Sequence, residues 1–231
     1  MVKLSKRVKE WKADLDCAKK YEFPEAVGLL KKFTKAKFKE RLDVVFRLGI
    51  DPRKTDQMVR GSCVLPHGTG KEVRVLVFAK GDKEKEALDA GADFVGGNDL
   101  AAKIKDGWMD FDRVIATPDM MGVVGKIGRI LGPRGLMPNP KVGTVTPAIG
   151  ETVKMVKKGQ VQFKTDKGAN VAATIGMMSF SDEQMLENLQ TFHDSLIKLR
   201  PANAKGNYIK NISISSTMGP GIKLDPFQFK K

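Results

Sequence analysis

Between Val73 and Lys158 short apolar runs alternate with charged stretches of helical length, and few folds accommodate that rhythm. Val73–Ala79 is a nearly continuous apolar run, the pattern of a strand buried on both faces, and the charged segment Asp82–Ala90 follows it as a helix. Phe94–Gly96 and Arg113–Ala116 read as further strands, while Asp99–Lys105, Met120–Leu131 and Glu151–Lys158 read as helical. Strands separated by helices pair in parallel, because a crossover of that length returns the chain in its original direction. The middle of the chain is therefore expected to be an α/β domain with a Rossmann-like parallel sheet.

The two ends follow another pattern. Lys3–Tyr21 reads as a charged helix, and a second helix starts at Pro24, with Ala26, Val27, Leu29, Leu30 and Phe33 as its apolar stripe. Strands at Leu42–Leu48 and Val59–Leu65 follow, separated by the turn signal Gly49–Arg53. Beyond Gly159 come strands at Gln160–Thr165 and Val171–Ile175, a long helix over Asp182–Leu199 and a last strand at Tyr208–Ser215. Ser181, with Gln184 three residues on, matches a capping box. The ends resemble each other more than the middle, so the α/β class takes a two-domain form. A discontinuous α+β domain is expected over 1–67 and 160–231, with the Rossmann-like domain 68–159 inserted in it. Pro66, Gly68, Gly70 and Gly159 mark the two crossings as a hinge.

The net charge of +14 fits nucleic acid, an anionic membrane surface or a generally basic soluble protein, and residues 68–159 hold only +3 of it. The +11 on the flanking segments makes them the better footprint for a polyanion bound through counterion release. Cys17 and Cys63 fit no zinc or redox spacing and suit a reducing cytosol. Met1–Tyr21 is broken by Glu10, Asp14 and Asp16 and lacks the apolar centre of a signal peptide; no stretch has the apolar length of a membrane span.

Catalytic readings find little footing. Gly68-Thr69-Gly70-Lys71 suggests a phosphate loop, but Glu72 occupies the place of the magnesium-binding Ser or Thr, and a strand follows instead of a helix. No G-x-G-x-x-G turn opens the α/β rhythm, and His67 and His193 lie near no metal-spaced partners. No catalytic residue, cofactor or metal is expected, and the chain reads as a non-enzyme.

Three short clusters suit RNA better. Lys37-Phe38-Lys39-Glu40 sets a ring beside cations and a carboxylate: the ring either stacks on a base or fills an ordinary core, and the carboxylate can accept from a ribose hydroxyl. Phe163–Lys167 and Ser215–Gly219 end strands with hydroxyls and backbone amides suited to 2′-hydroxyls, or are plain turns. The Gly/Pro-rich stretch Gly122–Lys141 carries Lys126, Arg129, Arg134 and Lys141, either as phosphate contacts or as a basic loop capping the sheet.

Long strings among these residues resemble the ribosomal protein L-one family of the large-subunit stalk, in its bacterial form. They are Leu48–Lys54, Val59-Arg60-Gly61, Leu65–Lys71, Ala116–Met121, Ile130–Lys141 and Thr217–Pro220. The resemblance implies a discontinuous RNA-binding domain that grips large-subunit rRNA near the tRNA exit site. It also implies a role in releasing deacylated tRNA, binding of the protein's own operon mRNA with autogenous repression, and a cytoplasmic place on the ribosome among its other components, away from any membrane. Carried onto matching positions, the RNA contacts are Lys37, Phe38, Glu40, Thr165, Asp166, Lys167, Ser215, Thr217, Met218 and Gly219. The chain departs from the family at Ala169, where a glycine is expected, and at Ala172-Ala173-Thr174, in place of a His-Ala-Pro-like run.

Overall fold

A computed structural model describes residues 5–16 and 18–229. Lys3, Leu4 and Cys17 of the first expected helix lie outside these residues, and the helix described there, α1, is Lys6–Asp14. Helix α2 (Phe23–Phe33) starts with Pro24 in its first turn and buries Phe23, Ala26, Val27, Leu30 and Phe33, the stripe expected of a helix packed on one side. Strands β1 (Arg41–Leu48) and β2 (Arg60–Val64) follow. The alternating segment supplies β3 (Val75–Phe78), α3 (Asp82–Asp89), β4 (Phe94–Gly96), α4 (Asn98–Lys105) and β5 (Arg113–Ala116). Next come the short helices α5 (Met121–Lys126) and α6 (Gly128–Leu131), then α7 (Ile149–Lys157). The chain continues through β6 (Gln160–Lys164), β7 (Asn170–Met177), α8 (Asp182–Lys198), β8 (Ile209–Ser216) and β9 (Ile222–Leu224).

Two compact units result, one made of the chain up to Val59 and from Phe163 onward, the other of Arg60–Gln162. The boundaries drawn from sequence, at 67/68 and 159/160, differ from these. Strands β2 and β6 pair with each other in a two-stranded ladder and not with the sheet of the terminal unit, and most of that ladder groups with the central unit.

In the central unit the parallel sheet runs β4-β3-β5. Every residue of β3 is fully buried because helices cover both faces. Leu76 and Phe78 face Leu100, Ile104, Val124, Ile127 and Leu131, while Val75 and Val77 face Ala87, Ile149, Val153 and Val156. The helix expected over Met120–Leu131 is broken at Ile127 into α5 and α6, in a stretch that includes Gly122, Gly125 and Gly128. Glycine's backbone freedom works against one continuous helix there.

Inside the central unit, beside the β2–β6 ladder, the chain segments at Gly68 and Gly159 meet backbone to backbone. Gly159 has φ +101°, and a Cβ on it would lie 2.4 Å from the Cα of Gly68, itself at φ +63°. Two glycines make that approach sterically accessible.

The terminal unit is a four-stranded sheet, β7-β1-β8-β9, antiparallel throughout. β1 alternates: Leu42, Val44, Phe46 and Leu48 are buried, and Arg41, Asp43, Val45 and Arg47 face the other way. Helix α8 begins with the Ser181–Gln184 capping box and buries Met185, Leu189, Phe192 and Leu196; Phe192 packs on Phe46 at 5.6 Å and edge-on to Phe163 at 5.1 Å. A register shift between Leu42 and Asp43 leaves Ile175 out of the ladder, and its carbonyl accepts instead from the buried Asn188 side chain at 2.7 Å. The sequence reading did not include β9, which extends the sheet beyond β8 by three residues.

Candidate nucleic-acid interface

One face of the terminal sheet is covered by helices, and its other face is built from small and polar side chains. Three cross-strand rows make it up: Thr174–Asp43–Ser215, Ala172–Val45–Ser213–Lys223 and Asn170–Arg47–Asn211. The Thr174 hydroxyl donates to Asp43 Oδ1 at 2.6 Å within the first row. An antiparallel sheet with one packed face ordinarily shows such alternation. The signal was present in sequence as the odd-numbered positions of 41–47 and 211–215, but the sequence reading did not single out Asp43, Arg47, Thr174, Asn211 or Ser213.

At the Arg41 end of this face two of the three expected clusters come together. The loop leaving α2 brings in Lys37, Phe38 and Lys39, all exposed, with the Phe38 ring 54% exposed. The core alternative for Phe38 does not apply. Glu40 is buried at 3% exposure, and its Oε2 accepts from the Met218 backbone N–H at 3.1 Å. Thr217 Oγ1 accepts from the Arg41 N–H at 3.0 Å, and the Thr217 N–H donates to the Arg41 carbonyl at 3.1 Å. Met218 is left 44% exposed, so an aromatic ring and a thioether project from two loops stitched by three hydrogen bonds. Gly219 closes the turn on Ser216; a Cβ there would meet Ser216 Oγ at 2.4 Å. Ser215 is half-buried in the first row of the open face.

The third cluster lies elsewhere. Asn170 pairs with Arg47, at the opposite end of β1 from Arg41, so Thr165–Lys167 is separated from Phe38 by about six strand residues, roughly 20 Å at ~3.3 Å per residue. Thr165 is also buried at 4% exposure: its hydroxyl donates to the Val59 carbonyl at 2.7 Å and accepts from the Val59 N–H at 3.0 Å. That hydroxyl holds the turn in place instead of facing outward.

Asp166 organises the turn. Its carboxylate accepts from the Asn170 N–H at 2.7 Å, the Gly168 N–H at 2.8 Å and the Asn170 side-chain amide at 3.2 Å. The Asn170 backbone N–H is the main cause that holds the Asp166 carboxyl below its ordinary range; slight burial opposes it, and the Asn170 side chain and Gly168 N–H add to it. Ala169, at the place where the resemblance called for glycine, adopts φ +61°, a left-handed conformation that glycine takes without strain. Lys167 projects from this turn and is exposed. In the central unit, Lys126, Arg129, Arg134 and Lys141 are all exposed along the Gly/Pro-rich stretch.

Residues 30–220 match the model of the ribosomal protein L1p/L10e family. The chain is 54% identical over 230 residues to the large ribosomal subunit protein uL1 of Syntrophobacter fumaroxidans, covering all of this chain and 98% of that one.

Proposed function

Because the chain belongs to the ribosomal protein L1p/L10e family, whose members are structural proteins of the large ribosomal subunit and not enzymes, we propose that its terminal unit grips a folded element of large-subunit rRNA along the open face of the sheet. The observation that carries this reading is the paired projection of Phe38 and Met218 from loops fixed by Glu40 and Thr217. A ring and a thioether held in place can stack against a base or ribose, while the hydroxyls and amides of the adjoining rows suit 2′-hydroxyl contacts. Lys37, Lys39, Arg47 and Lys167 supply cations along the phosphate track. Asp166, Ser215 and Gly219 shape the two ends of the face; Thr165 supports it from beneath.

Filter binding of a stalk rRNA fragment, measured at two salt concentrations, tests this. Phe38→Ala and Met218→Ala are each expected to weaken specific binding by about 1–3 kcal/mol at fixed salt. Lys167→Gln is expected to lower the salt slope by about one unit and to weaken all RNAs alike. Unchanged affinity in both the Phe38 and Met218 variants removes the Arg41 end of the sheet from the contact.

The finer roles follow from the same reading. The exposed cations Lys126, Arg129, Arg134 and Lys141 give the central unit a surface suited to exit-site tRNA, whose release the protein would assist in the cytoplasm. The face that holds rRNA would also hold a similar element on the protein's own operon mRNA and so repress its translation. Pro66, Gly68, Gly70 and Gly159 form the hinge in this reading, supported by three glycines at positive φ and by the close approach of Gly159 to Gly68.

A further inference from the structure

The terminal unit also holds a cavity of about 400 Å³ on the helix-covered side of its sheet, away from the open face. Its walls come from α8 (His193, Ile197), Arg200 just beyond it, Tyr208 and the start of β8 (Ile209, Lys210), Lys20 and Phe227. Three features set it apart. Lys20, Arg200 and Lys210 give it three cations; among the described residues no carboxylate lines it, though Asp225 and Asp194 touch the lining residues Phe227 and His193. The Arg200 guanidinium is already oriented, donating to the Ala204 carbonyl at 2.9 Å and the Gly206 carbonyl at 3.4 Å, with its carbon 5.9 Å from the centre of the Tyr208 ring. Tyr208 is 94% withdrawn from solvent, at 6% exposure, yet its hydroxyl meets no hydrogen-bond partner among the described residues.

A buried donor without an acceptor is unfavourable, and this oxygen is sealed from solvent as it stands. Burial, opposed by the charge of Arg200, pushes the Tyr208 phenol up to about 12, so at neutral pH it can only be such a donor or a neutral acceptor. The Phe227 ring at the rim is 61% exposed, and the Phe227 N–H donates to Asp225 Oδ1 at 3.1 Å, which fixes its turn. Three cations in the lining favour an anion, and exposed and buried rings favour a flat body. The volume fits a ligand of small-molecule size and exceeds what a bare phosphate would fill. An acidic peptide would satisfy the cations but leave the rings without a planar partner.

We propose that this cavity takes one unpaired nucleotide of an RNA strand, its phosphate among Lys20, Arg200 and Lys210 and its base against Phe227. The site is a second RNA contact, independent of the one built around Phe38 and Met218. A strand, and not a free mononucleotide, is the source named because three cations around one opening can neutralise adjoining phosphates as well as the bound one.

Titration of the ¹⁵N-labelled full chain with a single-stranded oligoadenylate pentamer tests the proposal, with 5′-AMP and a hexaglutamate peptide as further arms. The pentamer is expected to give saturable shifts at Asn207–Lys210, Ile197 and Phe227. Phe227→Ala should weaken it about fivefold or more. Lys20→Gln with Lys210→Gln, both exposed positions whose change should leave the melting temperature alone, should weaken it and flatten its salt dependence. Phe38→Ala should leave these shifts unchanged. Absent shifts, or equal affinity in the Phe227 and lysine variants, overturn the site. Binding of 5′-AMP as tight as that of the pentamer overturns the strand as its source, and preference for hexaglutamate overturns the nucleotide.

Discussion

Gly159→Ala should destabilise the protein by about 1–4.5 kcal/mol, through strain and overpacking offset in part by the unfolded chain. At φ +101° an L side chain is strained, by roughly 1–2 kcal/mol if the penalty resembles that of left-handed helix. The new Cβ would lie 2.4 Å from Gly68 Cα and 3.1 Å from both Gly68 C and Thr69 N. Ordinary carbon contacts are near 3.5–4.0 Å, so one backbone must retreat by about 1 Å. Overpacking of that kind adds about 1–3 kcal/mol. Against this, alanine restricts the unfolded chain and returns about 0.4–1 kcal/mol. For a unit of about 100 residues, each kcal/mol moves the melting point by about 4–8 °C, so a drop on the order of 10 °C is expected by scanning calorimetry. Gly68→Ala, whose Cβ would have its nearest contact with the Lys158 carbonyl oxygen at 3.1 Å, should fall between that variant and the parent. Gly28→Ala is the internal control: on exposed helix surface with nothing within 4 Å, it should stabilise by up to about 1 kcal/mol. A Gly159→Ala protein melting within about 2 °C of the parent would refute the close backbone crossing, given the slope above.

Ala169→Gly sets three opposing effects against one another: relief of left-handed strain of about 1–2 kcal/mol, loss of a buried methyl worth about 0.8 kcal/mol, and about 0.4–1 kcal/mol of added unfolded-state freedom. Urea unfolding should place it within about 1 kcal/mol of the parent, and a larger loss would mean that the turn does not sit at φ +61°. His193 is held below its ordinary 6.5 by burial, with Asp194 opposing. As pH falls below about 6.5 the unfolded chain takes up this proton first, so folding stability declines until the folded-state value is passed and then levels. In His193→Leu the stability lost between pH 7.5 and 5.5 should be smaller than in the parent; an equal loss in both removes His193 as a cause.

Periodicity carried most of the fold. The apolar block 75–78 gave a strand and, with the helices that separate it from its neighbours, the parallel kind of its sheet; Leu42–Leu48 was legible as a strand before a turn signal. Ser181 with Gln184 marked the start of α8 to the residue. Pairing was not legible: nothing local in Arg60–Val64 says that it bonds to Gln160–Lys164 and not to β1, because a ladder partner is chosen by the rest of the fold. Strand β9 was hidden by its length of three residues. The candidate site divided along the same line. That Phe38 projects and Thr165 is sealed depends on which neighbours cover each, and Phe38 alone could not tell a core from a platform. The separation of Lys167 from Met218 follows from antiparallel register, which a linear reading of strand ends does not contain. Even so, the small polar residues facing away from α8 could have been read from alternation alone.

The placement of β1 between β7 and β8 bears on how the protein is made. Its neighbours are encoded far downstream, so a ribosome adding about 5–20 residues per second leaves Arg41–Leu48 without either for roughly 120 residues, or some 6–24 seconds. During that interval Val44 and Phe46 have no sheet to enter, whereas Arg60–Gln162 already contains all three strands of its own parallel sheet. The nascent chain must therefore shelter an orphan apolar strand while its middle matures, and only the arrival of β7 and β8 brings the rescue.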